Sequence, residues 1–351
     1  MPAHGSVPLI IDCDTGIDDS LALLYACASP EADIRAVTCV AGNVDADQAA
    51  LNTRAVLNLA GRHDIEVALG RTVPLMRPLV TTPETHGRHG LGDAVLPAPT
   101  RPVSGRHATE LIIEEARVHP GELTLVTLGP MTTLAMAVLQ EPMLPRLLRR
   151  LVLMGGAYGA PGNTTPVGEW NVASDPEAMA VVLRAWSPDG PVDWDGRPPT
   201  RPLALGLDVT EQARILPTHL AALAARTGCR LNGSPIDDSG TENRVIRFVT
   251  DALAFYFRFH ERFDGFRGAF IHDPLALAAA LDPDLVLTRP VTVDIELSGA
   301  LTLGQTVADW RGHWSRPPNL DVAVSADVAT FLERFIERVG GLAATLSNVA
   351  R

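Results

Sequence analysis

Lysine is absent from this chain: all 29 basic residues among its 351 are arginine. Biased base composition of the genome is a sufficient cause. The consequence is chemical. Schiff-base catalysis and the lysine of a phosphate-binding loop are both excluded. Cysteine is scarce. Cys13, Cys27, Cys39 and Cys229 show no CxxC spacing, which points to a reduced, cytoplasmic protein. No apolar run approaches the ~18 residues of a spanning helix. The opening MPAHGSVPLIIDCD has neither a basic nor an apolar leader segment, so no signal peptide is expected. Positive charge is not in excess either. The formal net charge of −12 argues against nucleic acid or an anionic membrane as the main partner.

What is present suits a globular enzyme. A chain of this length buries a large core without disulfides. Its first half alternates strand and helix patterns. Val7–Ile11 is a continuous apolar run, expected of a buried parallel strand. Further strands are expected at Ile34–Val40, Leu123–Thr127, Arg150–Met154, Leu203–Leu207 and Pro290–Leu297. Helices are expected at Ser20–Ala28, Asp47–Ala60, Thr109–Val118, Thr132–Leu139, Glu177–Ala185, Asn243–Phe263, His272–Leu281 and Ala326–Val339. Strands spaced by helices imply an α/β fold with a mostly parallel central sheet flanked by helices, Rossmann-like in its core. One domain over 1–351 is expected. Thr72–Arg106 is too long for an idle connection, and its His86-Gly87-x-x-Gly90-Leu91-Gly92 run suggests function. Trp186–Pro202, with five prolines and two tryptophans, has no convergent polar set and is expected to be a surface insertion. The aromatic stripe on Asn243–Phe263 is expected to be core.

The informative segment is Asp12-Cys13-Asp14-Thr15-Gly16-Ile17-Asp18-Asp19, with four Asp in eight positions after the first strand. Ligands of open α/β sheets bind at that end of the strands. Four crowded carboxylates repel one another unless a cation sits among them. Hard divalent ions such as Ca²⁺ take carboxylate oxygens. Helix capping accounts for one or two of the four. An apolar strand followed by Asp-x-Asp also resembles haloacid-dehalogenase-type phosphatases, with Asp12 as nucleophile and Asp14 as acid. Gly16, the unused Asp18–Asp19 pair and the missing lysine count against that.

A more specific resemblance rests on ordered blocks. Asp12-Cys13-Asp14-Thr15-Gly16-Ile17-Asp18-Asp19-Ser20 is followed by Gly42-Asn43, the His86–Gly92 run, Leu128-Gly129-Pro130-Met131-Thr132-Thr133 and Met154-Gly155-Gly156. Asn163, Glu169-Trp170-Asn171, Asp175-Pro176-Glu177-Ala178 and His272-Asp273-Pro274 come after. In this the chain resembles the inosine–uridine-preferring nucleoside hydrolases over roughly residues 7–340. Ser20 and Thr133 replace the family's Ala and Asn. The resemblance implies an enzyme, a hydrolase of N-glycosyl compounds that splits ribonucleosides into free base and ribose. It implies Ca²⁺ held by Asp14, Asp19, Asp273 and the Leu128 carbonyl, with Asp14 as general base for a water on the ion. Asp18, Asn43, Asn163, Glu169 and Asn171 would bind ribose, Met154 would pack on the sugar, and His86 would reach the base. His272 would be the acid for the leaving base. A homodimer or homotetramer is implied.

Taken alone, Asp273-Pro274 and Asp175-Pro176 each look like a helix cap followed by an N1 proline. Tyr256, His260 and Asp264 recur at i, i+4 and i+8, so they share one helix face. They are either a solvated face or the determinants of an altered base preference. A non-catalytic nucleoside or ribose binder of the same fold is the remaining alternative. Purine against pyrimidine is left open.

Overall fold

The structure is a computed structural model that describes residues 5–99, 101–229 and 243–349. The first four residues, where the leader expectation begins, lie outside that description. Eight strands form one sheet: β1 (Val7–Cys13), β2 (Ala32–Cys39), β3 (Glu66–Leu69), β4 (Thr124–Thr127), β5 (Arg150–Met154), β6 (Leu203–Leu205), β7 (Val286–Val291) and β8 (Leu320–Ala326). Their order is β3-β2-β1-β4-β5-β6-β8-β7. All pairings are parallel except β7 against β8. The principal helices are α1 (Ile17–Ala28), α2 (Ala46–Leu59), α3 (Ala108–Val118), α4 (Thr132–Gln140), α5 (Pro176–Trp186), α6 (Arg244–Phe263), α7 (His272–Leu281) and α8 (Val328–Val349).

Strand periodicity sorts the core into two layers. In β1, Leu9, Ile11 and Cys13 join the cluster that includes α1, α2, α6, α7 and α8. Ile10 points the other way, toward α3, α4 and α5. β4 and β5 divide likewise, with Val126, Val152 and Met154 on the first side and Leu125, Leu151 and Leu153 on the second. Apolar side chains are therefore needed on both faces, which is why these strands read as unbroken apolar runs. The sheet reverses outward from β1, with β2 on one side and β4 on the other. The C-terminal end of β1 is thus a switch point.

The expected strand Pro290–Leu297 is two elements. β7 ends at Val291, and Val293–Ile295 pairs antiparallel with Thr306–Ala308 in a separate ribbon. Residues 203–207 divide too: β6 stops at Leu205 and a short helix, Leu207–Thr210, begins. The Trp186–Pro202 segment has no regular structure beyond Trp186. It is pinned to its own body, since Trp194 is buried, its Nε1 donates to the Ser187 carbonyl, and Arg146 lies over its ring.

Candidate active site

The site starts at the sharp turn from β1 into α1. Gly16 is the N-cap of α1, so Asp18 and Asp19 fall in its first turn, where the partial positive charge of a helix N-terminus favours carboxylates. α1 packs against α7, and the first turn of α7 brings His272 and Asp273 to the same place. The main-chain amides of His272 and Asp273 face Asp18. This corrects the cap reading of Asp273-Pro274. The N-cap of α7 is Ile271, and Asp273 is its second residue. Asp175 is a true cap: it accepts from the Ala178 N–H and also holds the Thr132 hydroxyl and the Leu75 N–H.

Asp14, Asp18, Asp19 and Asp273 are all buried. The main-chain N–H of Asn43 donates to Asp14 Oδ2 at 2.6 Å, and its side-chain Nδ2 reaches Asp19 Oδ2 at 3.2 Å. The Gly16 N–H donates to the same Asp19 oxygen at 2.8 Å. Loss of water pushes all four carboxylates above their ordinary range, and neighbouring carboxylate charge adds to it at Asp14, Asp18 and Asp273. Asp18 is raised to about 8, while Asp14 and Asp273 rise well above the usual value.

The backbone is cut close around Asp14. An ideal Cβ on Gly42 would overlap Asp14 Oδ2, and one on Gly129 would stand 2.7 Å from Asp14 Oδ1. Both glycines lie in motifs visible in the sequence, yet their role as walls was not legible there. Neither was Thr210, whose hydroxyl lies 2.8 Å from His272 Nδ1. It follows β6, far from His272 in the chain.

Three buried carboxylate oxygens, Asp12 Oδ2, Asp14 Oδ1 and Asp19 Oδ1, have no hydrogen-bond partner among the described residues. One oxygen each from Asp18, Asp19 and Asp273 lie within 4.8 Å of one another. Orphaned carboxylate oxygens in an all-oxygen cluster fit a hard divalent cation and fit little else. Of the expected ligand set, Asp19 and Asp273 belong to this trio with Asp18. Asp14 adjoins it through Asp19. The Leu128 carbonyl accepts from Asn171 Nδ2 at 2.7 Å. Asp12 lies fully buried, and its Oδ1 accepts from the Thr38 hydroxyl at 2.6 Å.

The other expected residues divide. Asn171 joins the site through Leu128 and through Met154, whose carbonyl it also reaches. Glu169 raises the pKa of Asp273, so it borders the cluster. Its oxygens accept from Gly156, Asn171 and Val172, so it also caps the short helix Trp170–Ser174. His86 is buried, and its Nδ1 accepts the Ile17 N–H at 3.0 Å, which fastens the long Thr72–Arg106 loop to the mouth of α1. Burial pushes both His86 and His272 down to about 3. Asn163 is not gathered in: it is exposed and accepts the Trp170 N–H.

The α6 face departs from the solvated-face expectation. His260 is only 4% exposed, so its pair with Asp264 is no solvated face. Tyr256 is buried as well, and it feels the charges of Asp18, Asp273 and Asp19. The aromatic stripe is therefore part core, as at Phe248 and Phe257, and part site wall.

Similarity to known proteins agrees with this geometry. The pyrimidine-specific ribonucleoside hydrolases RihA of Citrobacter koseri and Salmonella arizonae are 35% and 36% identical to this chain over 336 residues, covering 95% of it and 98% of each relative. A purine-preferring ribonucleoside hydrolase from Gardnerella vaginalis superposes with a TM-score of 0.84 at 30% identity, covering 96% of this chain and 99% of that one. An inosine-guanosine nucleoside hydrolase superposes at 0.78 with 27% identity, covering 95% and 98%. Residues 9–333 match the family described as inosine-uridine preferring nucleoside hydrolase, so the chain belongs to that family and is a hydrolase of N-glycosyl compounds.

Proposed function

We propose that this chain hydrolyses ribonucleosides to free base and ribose, and that Ca²⁺ is its cation. The observation that carries it is the buried carboxylate cluster at the end of β1, in which Asp14 Oδ1 and Asp19 Oδ1 have no partner among the described residues. Asp14, Asp18, Asp19 and Asp273, with the Leu128 carbonyl, would hold the ion. When bound, it would neutralise the cluster and acidify water at the site. The chain's own residues do the rest. Asp14, gripped by the Asn43 N–H and walled by Gly42 and Gly129, takes the proton of the attacking water. Asp18, Asn43, Glu169 and Asn171 orient the ribose, with Asn163 at the rim and Met154 against the sugar. Their oxygens favour the positive charge that builds at C1′ as the C1′–N bond opens. His86 and His272 stand at the base side as neutral imidazoles.

The base is not fixed by the relatives, since those above carry both pyrimidine-specific and purine-preferring names. Tyr256, His260 and Asp264 are our candidates for setting it. A cytoplasmic homodimer or homotetramer completes the proposal. The test is free-base release from a ribonucleoside panel, with and without chelator, by wild type and Asp14→Ala. Release that both chelator and substitution abolish is expected. Binding of ribonucleosides without any release would favour the non-catalytic binder instead.

A further inference from the structure

Three imidazoles crowd the base side of the site, and their ring partners differ. His86 Nδ1 accepts a main-chain N–H from Ile17. His272 Nδ1 meets the Thr210 hydroxyl. Only His260 has a carboxylate: its Nδ1 is 2.7 Å from Asp264 Oδ2, one helical turn on. A carboxylate at Nδ1 fixes the tautomer and leaves Nε2 as the working nitrogen; it opposes burial, which holds the ring below its ordinary range. His260 Nε2 is buried and has no partner among the described residues. The ring is boxed by Tyr256 at 4.6 Å, Phe270 at 4.9 Å edge-on and Phe259 at 5.2 Å. Tyr256 lies 5.6 Å from His86, and Phe270 lies 5.8 Å from His272. The box therefore continues directly into the wall beside the carboxylate cluster.

We propose that His260, oriented by Asp264, gives the proton to the departing base, so the enzyme acts on ribosides whose leaving ring nitrogen must be protonated. The inference rests on the ribonucleoside-hydrolase reading above. The step balances. The C1′–N bond breaks and its electron pair stays on the base nitrogen, which takes the Nε2 proton. Water adds to C1′ and its proton passes to Asp14. Return of that proton to His260 through solvent resets the enzyme. Because Nε2 is covered in the free protein, a ring of the box must turn aside for the base to reach it. Asp264 is a positioning residue. The charged and titratable groups around the pair are His86 and His272 from the loop and α7, with Glu211 and Arg214 at the rim.

The experiment compares wild type, His260→Gln, Asp264→Asn and Asp264→Glu, all Ca²⁺-loaded and checked for an unchanged thermal midpoint. Substrates are inosine, uridine and 4-nitrophenyl β-D-ribofuranoside, whose phenolate leaves without a proton. We expect His260→Gln to lose about 10²–10³-fold in kcat/KM on the nucleosides and less than about fivefold on the nitrophenyl riboside. The high-pH fall of kcat/KM on nucleosides should vanish in His260→Gln. Asp264→Asn should move it to lower pH, and Asp264→Glu should largely restore it. Equal loss on every substrate, or a high-pH fall that survives in His260→Gln, overturns the proposal. If the wild type does not cut the nitrophenyl riboside, the pH profile decides alone. If the wild type releases base from no nucleoside, the ribonucleoside reading has failed instead, before any variant is compared.

Discussion

At the scale of single residues, the site is built as much by missing side chains as by present ones. Asp14 sits where two glycine backbones approach within van der Waals distance, and any Cβ at Gly42 must displace its carboxylate. Gly42→Ala should therefore cut kcat by about 10²-fold, the usual result of misplacing a reacting group by an ångström. Gly105→Ala, where an added Cβ meets nothing within 4 Å, is the control and should match wild type. Steady-state kinetics of both decide it, and full activity in Gly42→Ala would remove Asp14 from the reaction. The four aspartates and the Gly42-Asn43 block were legible in the sequence because carboxylates crowded after an apolar strand have few other uses. The burial of His260 was not. At i, i+4 spacing a His–Asp pair looks the same on a wet face as in an aromatic box. Two of the rings that cover it, Phe266 and Phe270, come from beyond the end of α6.

At the scale of elements, the long Thr72–Arg106 loop is held to α1 by a histidine rather than by packing alone. His86 Nδ1 must stay unprotonated to accept the Ile17 N–H. Its pKa in the folded protein is pushed to about 3, against roughly 6.5 when unfolded. Below 6.5 the unfolded chain binds more protons, so the stability His86 contributes is present above that pH and drains away as pH falls. His86→Ala should cost about 1–3 kcal/mol at pH 7.5, because it orphans a buried N–H. The gap to wild type should narrow by up to ~1.4 kcal/mol per pH unit below 6.5. Urea midpoints at pH 7.5 and 5.5 measure it, and a constant gap would mean that His86 is not buried neutral. Most elements were legible, since strands buried on both faces and amphipathic helices leave distinct periods. Glu66–Leu69 and Leu320–Ala326 were not anticipated. The first is only four residues long. The second is identified as a strand by its partners, β6 on one side and β7 on the other.

For the molecule as a whole, the carboxylate cluster ties stability to the cation. Without the ion, Asp18 has its pKa raised to about 8 in the fold, against roughly 3.9 unfolded, and Asp14 and Asp273 are raised as well. The folded state then binds more protons than the unfolded one, so stability falls as pH rises from about 4 to about 8. A cation takes the place of those protons. Ca²⁺ should therefore raise the thermal midpoint more at pH 8 than at pH 5.5, and chelator should reverse it. Differential scanning fluorimetry at both values checks this, and an equal shift at both would place the ion away from the cluster. The sequence by itself determined the family, the parallel α/β architecture and the carboxylates, because each leaves a local pattern of period, spacing or residue type. The tertiary structure alone decided which groups meet. α7 presents Asp273 to α1, Thr210 reaches His272, and α6 turns His260 inward. Such juxtapositions depend on how helices pack across a sheet, and no local stretch of sequence encodes them.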